Sequence, residues 1–552
     1  MPTINFKGIS FVQNHHLAVK YHQLVPKKEL SVTDKVSLHD NLIIQGDNLK
    51  ALKSLLPTYG GKVKVVCIDP PYNTGEEGWK YNDNVNSPMI QEWLKSNKPV
   101  DKEDLARHEK WLCMMMPRLK LLKELMATDG IIAIAIDDNE VFYLGSLMDE
   151  LFGEHNRLAC APWLAEPSGG KEKTGLRKGH EYIMIYCNGD KSKVSQEERS
   201  TGELDKKDKF GKFRKGRELI KWGDASLRAD REDMWFELIA PDGTKVVPIR
   251  NDGKEGRWRW GQKNPKTIAL INDHEHAHWE MREYDEGVSI DGKKERWMAY
   301  EKIRDKKKSV GWNTWLDSYG FNADGTRTLK DIFGRKEFDT PKPVQLFEWL
   351  ISLHEDDNAI VLDSFAGSGT AAHAVLNLND EDEGGRRFIL VEMENEVINI
   401  TTERVKRVIK GVDSAKDERI KNGVSGTFSY FELGEPIEME SILHGDNLPS
   451  YADLARYLFY TATGEEFSPN KLDEKKYFIG SSKDYEVYLF YQPDVEYLKS
   501  TALTLERAKS LGVHNGIKRL VFAPAKFLDT HTLLELRIDY CQLPFEIYRL
   551  KG

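Results

Sequence analysis

The sequence predicts an α/β protein built on a doubly wound sheet, and three observations predict it. Short runs rich in Val and Ile alternate with longer stretches whose apolar residues recur at helical spacing. Two of those runs end abruptly in turns that carry chemistry, Asp69-Pro70-Pro71-Tyr72 and Asp363-Ser364-Phe365. The alternation breaks off near residue 190 and resumes after residue 335, so an insertion interrupts the sheet.

Residues 1–35 form a polar lead-in. Leu42 to Gln45 reads as a short strand and GDNLKALKSLL as a helix, with Asp47 or Asn48 as its cap and Leu49, Leu52, Leu55 and Leu56 on one face. GDNL recurs at 445–448, which marks it partly as a capping device. KVKVVCIDPPYNTG, residues 62–75, is a buried strand that must stop at its two prolines, because proline has no N–H to give the ladder. Residues 105–127 repeat apolar side chains around Trp111, Met115, Leu119 and Leu122, and Asp129-Gly130 is expected to end that helix. IIAIAIDD, FYLGSLMDELFG and HEYIMIYCN continue as strand, helix and strand. After the insertion, Pro341 and Pro343 open a helix through VQLFEWLISLH. NAIVLDSFAGSGTAAHAVLNL then reads as strand, glycine loop and helix, and RRFILVEM as the next strand. Beyond residue 433, YEVYLFYQ, VEYLKSTALTLERAKSL and KRLVFAPA outline a further βαβ-like unit. The expected divisions are 1–35, 36–190, 191–335, 336–432 and 433–552.

A chain of 552 residues is too long for one ordinary core. Its longest apolar stretch, near Ile131 to Ile136, is too short to span a bilayer, and its N-terminus lacks the regions of a secretory signal. Five scattered cysteines without CxxC spacing point to a reducing cytoplasm and suggest neither a disulfide framework nor a metal site. The net charge of −9 argues against a chain that coats nucleic acid indiscriminately. The charge is uneven, however: residues 191–335 carry about +5 and eight of the thirteen tryptophans, against about −14 elsewhere. Aromatic rings among basic residues, as in RWRWGQKNPK, suit base stacking and phosphate contact. Any single tryptophan reads as core of an irregular β-rich module; the segment as a whole reads as a nucleic-acid-contacting one.

Gly367, Gly369 and Ala372 fit G-x-G-x-x-A, with Glu392 twenty residues beyond Ala372 and placed to accept hydrogen bonds from ribose hydroxyls. Alone, this leaves a nicotinamide-dependent oxidoreductase open, and glycines also serve simply for close helix–strand packing. DPPY (Asp69 to Tyr72) followed downstream by DSFAGSGT (Asp363 to Thr370) resembles the amino-group DNA methyltransferases that use S-adenosylmethionine, in the motif order of their β subgroup. The extended DPPYNTG, the length and the C-terminal unit resemble the modification subunits of Type III restriction systems. The resemblance implies a Rossmann-like methyltransferase sheet with an inserted target-recognition domain. It also implies a cytoplasmic enzyme that methylates N6 of a flipped adenine in double-stranded DNA, without a metal, and partners with a second protomer or a helicase-nuclease subunit. By position, it assigns Asp363, Phe365, Ala366, Gly367, Ser368, Gly369 and Thr370 to the cofactor pocket and Glu392 to the ribose. Asp47 is implied near the adenosyl group, and Lys342 and Pro343 over the methionine part. Asp137 and Asp138 line the target side or simply cap a strand-to-helix turn. N4 of cytosine is the alternative target, and a catalytically silent DNA-binding subunit the non-enzyme alternative.

The chemistry explains why a strand would end in Asp69-Pro70-Pro71-Tyr72. An exocyclic amino nitrogen is a poor nucleophile because its lone pair is delocalised into the ring. The Asp69 carboxylate and the Pro70 carbonyl, accepting its two N–H bonds, favour the tetrahedral, nucleophilic form. The Pro70-Pro71 corner holds that geometry, and Tyr72 gives an extruded base a surface to stack on. That chemistry serves adenine and cytosine alike; the resemblance implies adenine, because enzymes similar to this one carry Asp before Pro-Pro-Tyr for adenine and Ser for cytosine, and Asp69 with Asn73-Thr74-Gly75 falls on the adenine side.

Overall fold

The computed structural model describes residues 4–74, 107–169, 175–437, 448–465, 467–512 and 516–543. Gly75, the first two residues of the helix expected over 105–127, and the first three of the second GDNL lie outside these. The chain divides into two compact units, Met1–Ser195 with Asn313–Gly552, and Gln196–Trp312.

The first unit is organised by a nine-stranded sheet. Its strands are β1 (His22–Pro26), β2 (Leu42–Gln45), β3 (Val63–Ile68), β4 (Met126–Ile136), β5 (Arg157–Leu164), β6 (His180–Cys187), β7 (Ile360–Asp363), β8 (Arg387–Glu392) and β9 (Ser429–Pro436). Their spatial order is β1-β9-β2-β8-β7-β3-β4-β6-β5. The six strands from β9 to β4 are parallel, as the alternating pattern predicts. Both flanks contain antiparallel pairs: β6 runs antiparallel to β4 and β5 antiparallel to β6, and β1 runs antiparallel to β9. No helix separates β5 from β6 among the described residues, and without a crossover consecutive neighbours pair antiparallel. Strands β7 and β8, which follow the insertion in sequence, fill the space between β2 and β3. The carboxyl ends of β3 and β7 therefore lie side by side, with Val65 opposite Val361 and Val66 opposite Leu362. This is where ligands sit in such sheets.

Helices α1 (Asn48–Tyr59), α2 (Arg107–Leu125), α3 (Val141–Phe152), α4 (Val344–Ser352), α5 (Thr370–Asp382) and α6 (Asn395–Lys410) connect the strands. Leu52, Leu55, Trp111, Met115, Leu119 and Leu122 pack with Ile132 and Ile134 into one core, the faces that their spacing predicts. Helix α2 ends at Leu125, short of Asp129-Gly130, and β4 begins at once. Pairing skips from Val63–Met126 to Val65–Ile131, so the Asp129-Gly130 turn is a bulge in the strand rather than a helix stop. Lys64 holds the Asp129 carboxylate at 2.7 Å, and a Cβ at Gly130 would lie 2.9 Å from the Val63 carbonyl oxygen.

Near the C-terminus, Tyr485–Leu489 and Lys518–Ala523 pair in parallel within a four-stranded sheet. The single helix read between them is two, Val495–Ser500 and Leu505–Ser510, because the Thr504 side chain caps a new start by accepting from Arg507 N. No helix among the described residues is long and apolar enough to cross a membrane.

The second unit, Gln196–Trp312, is mainly β, with a four-stranded sheet. Trp258 and Trp279 are buried with Leu219, Leu238 and Met298, while Trp222, Trp260 and Trp297 pack half-buried against that core. Several rings also carry cations: Arg228 lies 4.8 Å from the Trp235 centroid and Arg250 lies 5.2 Å from that of Trp222.

Candidate active site

Strand β3 is buried along almost its whole length and delivers Asp69 at its end. The Pro70-Pro71 corner is fixed from outside the strand, for Trp111 in α2 donates its indole N–H to the Pro71 carbonyl at 2.7 Å. Asn73 adopts a left-handed φ of 57°, which asparagine tolerates, and donates its amide N–H to Glu140 Oε1 at 2.6 Å. The same oxygen lies 2.6 Å from His108 Nδ1. Burial pushes the Glu140 carboxyl up to about 8 and the His108 imidazole down. Neither Trp111 nor Glu140 was marked by the motif. Each lies tens of residues away, and a half-polar aromatic or a buried acid at a helix start is the only signal the sequence carries.

Asp69 Oδ2 accepts a hydrogen bond from Lys342 Nζ at 2.8 Å, whereas Asp69 Oδ1 is buried and has no hydrogen-bond partner among the described residues. Lys342 also stands 3.5 Å from Glu181 Oε2 and 4.9 Å from the Tyr72 ring centroid, and the Tyr72 hydroxyl donates to Glu181 Oε2 at 2.8 Å. Glu181, in β6, is the fourth member of this constellation and carries no motif. Burial disfavours the Lys342 ammonium, but the Asp69 and Glu181 carboxylates outweigh it and the pKa is pushed up to about 12. Burial first, then the same two carboxylates, drives the Tyr72 phenol well above its usual range, so it stays protonated.

The glycine loop faces this corner. Asp363 Oδ1 accepts from Phe365 N at 3.0 Å, closing the turn out of β7. Gly367 N donates to Glu392 Oε2 at 2.9 Å, and Glu392 Oε1 accepts from the Met393 and Glu394 amides. Burial raises the Glu392 pKa against the pull of these N–H groups. Asn48 Nδ2 donates to the Ser364 carbonyl at 2.8 Å, and Arg118 Nε in turn holds Asn48 Oδ1 at 2.6 Å.

A cavity of about 710 Å³ is lined by Asp69–Asn73 on one side and by Asp363, Phe365–Ser368, Thr370 and Glu392 on the other, with Lys342 between. A Cβ on Gly367, whose φ is 49°, would lie 3.6 Å from Phe338, a residue of the same lining, so the bare glycine keeps backbone accessible there. Five expected residues, Asp47, Pro343, Gly369, Asp137 and Asp138, are not part of this lining. Asp47 caps α1, accepting from Leu49 N and Lys50 N, and it is Asn48 that reaches the loop. Pro343 is the cap position of α4. Gly369 has φ 79°, and its Cβ direction faces Thr401 Cγ2 at 3.0 Å rather than the cavity. Ala366, by contrast, does line the cavity, and its N–H donates to the Val391 carbonyl. Asp137 accepts from Asn139 N and Asp138 pairs with Lys178, in the turn into α3.

Comparison with known proteins adds to this geometry. A family profile described as DNA methylase matches residues 63–403. The chain is 32% identical over 472 residues to the Type III restriction-modification enzyme EcoPI Mod subunit of Escherichia phage P1, covering 76% of this chain and 71% of that one. It is also 32% identical over 418 residues to the Type II methyltransferase M.KpnI of Klebsiella pneumoniae, covering 73% of this chain and 92% of the relative. Among solved structures, the M1.HpyAVI–SAM complex aligns with 66% of this chain and 98% of its own at 13% identity, with a TM-score of 0.28.

Proposed function

Because the chain belongs to the DNA methylase family, we propose that it transfers a methyl group from S-adenosylmethionine to N6 of an adenine extruded from double-stranded DNA. The observation that carries this reading is the division of labour within one carboxylate. Lys342 occupies Asp69 Oδ2, while Oδ1 is buried with no hydrogen-bond partner among the described residues, so this carboxylate, whose residue lines the cavity, retains acceptor capacity for the amino N–H of a base that enters. Trp111 takes up the Pro71 carbonyl, so the backbone acceptor offered to the second N–H is that of Pro70. Tyr72, braced by Glu181, supplies the stacking surface.

The cofactor site is the glycine-loop half of the cavity. Glu392 is the acceptor for ribose hydroxyls, and the bare backbone at Gly367 allows close approach. Once bound, S-adenosylmethionine supplies a methyl group already activated by its sulfonium. Asp69 and Pro70 draw electron density onto the amino nitrogen through its N–H bonds. As the N–C bond would form and the methyl–sulfur bond break, its electron pair staying on sulfur, the displaced amino proton would pass toward Asp69, whose negative charge Lys342 compensates. The dinucleotide reading of the loop gives way to family membership, and so does a catalytically silent role, since Asp69, Tyr72 and the loop converge on one cavity.

Residues 196–312 are assigned to target recognition, supported by their positive charge and cation-bearing tryptophans. A restriction subunit as partner is supported by the likeness to a subunit of a restriction-modification enzyme, and a second protomer is carried over from the family resemblance alone. Incubating the protein with labelled S-adenosylmethionine and duplex DNA, then digesting to nucleosides, should yield N6-methyladenine by mass spectrometry. Methylcytosine alone would replace adenine by cytosine as target, and no labelled nucleoside would overturn the reading.

A further inference from the structure

Helix α6 places a charged side chain beneath the glycine loop that neither the motif nor the mechanism above uses. Arg404 has no solvent exposure, and no carboxylate pairs with it among the described residues. Its Nη1 donates to Ser368 Oγ and Thr370 Oγ1, each at 3.0 Å, and to the Ser368 carbonyl at 3.2 Å; its Nη2 lies 3.3 Å from His373 Nδ1. His373, buried beside this cation, is held neutral and so accepts. A full positive charge is thus buried against the hydroxyls of Ser368 and Thr370, two residues of the cavity lining, at the start of the thirteen-residue helix α5. Burying a charge is costly unless something compensates it, and no carboxylate among the described residues does so.

The hydrogen-bond polarity says what the compensating group is. A guanidinium only donates, so both hydroxyl oxygens act as acceptors toward Arg404 and must send their own protons elsewhere. The outlets among the described residues are poor. Ser368 Oγ and Thr370 Oγ1 are 3.3 Å apart, and Thr370 Oγ1 is 3.3 Å from the Lys342 carbonyl oxygen, both long for O–H···O bonds. This end of the cavity therefore offers O–H donors backed by a buried cation and by the first-turn N–H groups of α5. We propose that Arg404 is a positioning residue that orients the Ser368 and Thr370 hydroxyls as donors, so that this end of the cavity selects a ligand ending in a carboxylate. The proposal rests on the reading of the cavity as the S-adenosylmethionine site, whose anionic group is the carboxylate of the methionine part.

The test compares S-adenosylmethionine with its decarboxylated analogue by titration calorimetry, without DNA. The full-length wild-type protein should bind the carboxylate-bearing ligand at least about tenfold more tightly, the worth of one hydrogen bond to a charged group. Arg404→Gln should cut that ratio to below about threefold while leaving affinity for the decarboxylated analogue unchanged, and Arg404→Lys should restore part of it. A merely structural arginine would weaken both ligands alike, and an unchanged ratio in folded Arg404→Gln overturns the proposal. Should circular dichroism find Arg404→Gln unfolded, the Ser368→Ala, Thr370→Val pair must lose the same discrimination, and retention of it refutes the assignment. A wild-type protein that binds both ligands equally sinks this inference and leaves the methyltransferase reading standing. One that binds neither sinks both.

Discussion

Replacing Lys342 by methionine keeps the stem of the side chain and deletes its charge. In the native site the ammonium lies 2.8 Å from Asp69 Oδ2 and 3.5 Å from Glu181 Oε2, with the lysine side chain only 7% exposed. Without it two carboxylates share one corner with no cation between them. Removing one partner of a buried pair costs about 3–5 kcal/mol. Asp69 is 26% exposed here, so water screens part of that loss and about 2–3 kcal/mol is expected. Urea unfolding at pH 7 measures it. The lysine pKa is raised from 10.5 to about 12, so the stabilisation is fully present below about 10.5 and is lost as pH rises through 12. The gap between wild type and variant should therefore be constant from pH 7 to pH 10. Turnover should fall by at least about tenfold, since an unanchored Asp69 samples unproductive geometries. A variant that loses under about 0.5 kcal/mol and methylates at the wild-type single-turnover rate would refute the anchoring role.

Asp69→Ala should still bind DNA and cofactor but transfer no methyl group in single-turnover assays, whereas Tyr72→Ala should lose only the worth of a stacking platform, about 1–3 kcal/mol; near wild-type transfer by Asp69→Ala would remove the strand-end motif from the mechanism. Glu140 has a carboxyl raised from 4.5 to about 8 by burial, so the folded state holds a proton that the unfolded state releases, and stability declines as pH rises across that window. Glu140→Gln should flatten the decline between pH 5 and pH 8 in urea midpoints, and an unaltered slope would contradict it. Gly369→Ala should cost about 1–2 kcal/mol in thermal unfolding, because a left-handed residue gains a Cβ 3.0 Å from Thr401. Since that Cβ faces Thr401 rather than the cavity, the folded variant should keep its cofactor affinity within about threefold.

The sequence by itself determined the parallel sheet, its interruption and the two strand ends that carry chemistry. Those features are local: β-branched runs make buried strands, prolines stop them, and a loop of glycines lets backbone approach a ligand. The capping role of Asp47 was equally legible, because a cap acts on amides two and three residues away. What tertiary structure decided is how those ends are held. Lys342 sits 273 residues from the carboxylate it pairs with, and Glu181 lies 109 residues from the phenol it braces. Trp111, Asn48 and Arg404 likewise act on backbone or hydroxyls from other elements. No periodicity or spacing encodes such contacts, because they exist only once β7 and β8 have slotted between β2 and β3. The antiparallel flanks and the bulge at Asp129-Gly130 have the same origin: pairing between strands, not propensity within one, sets direction and register.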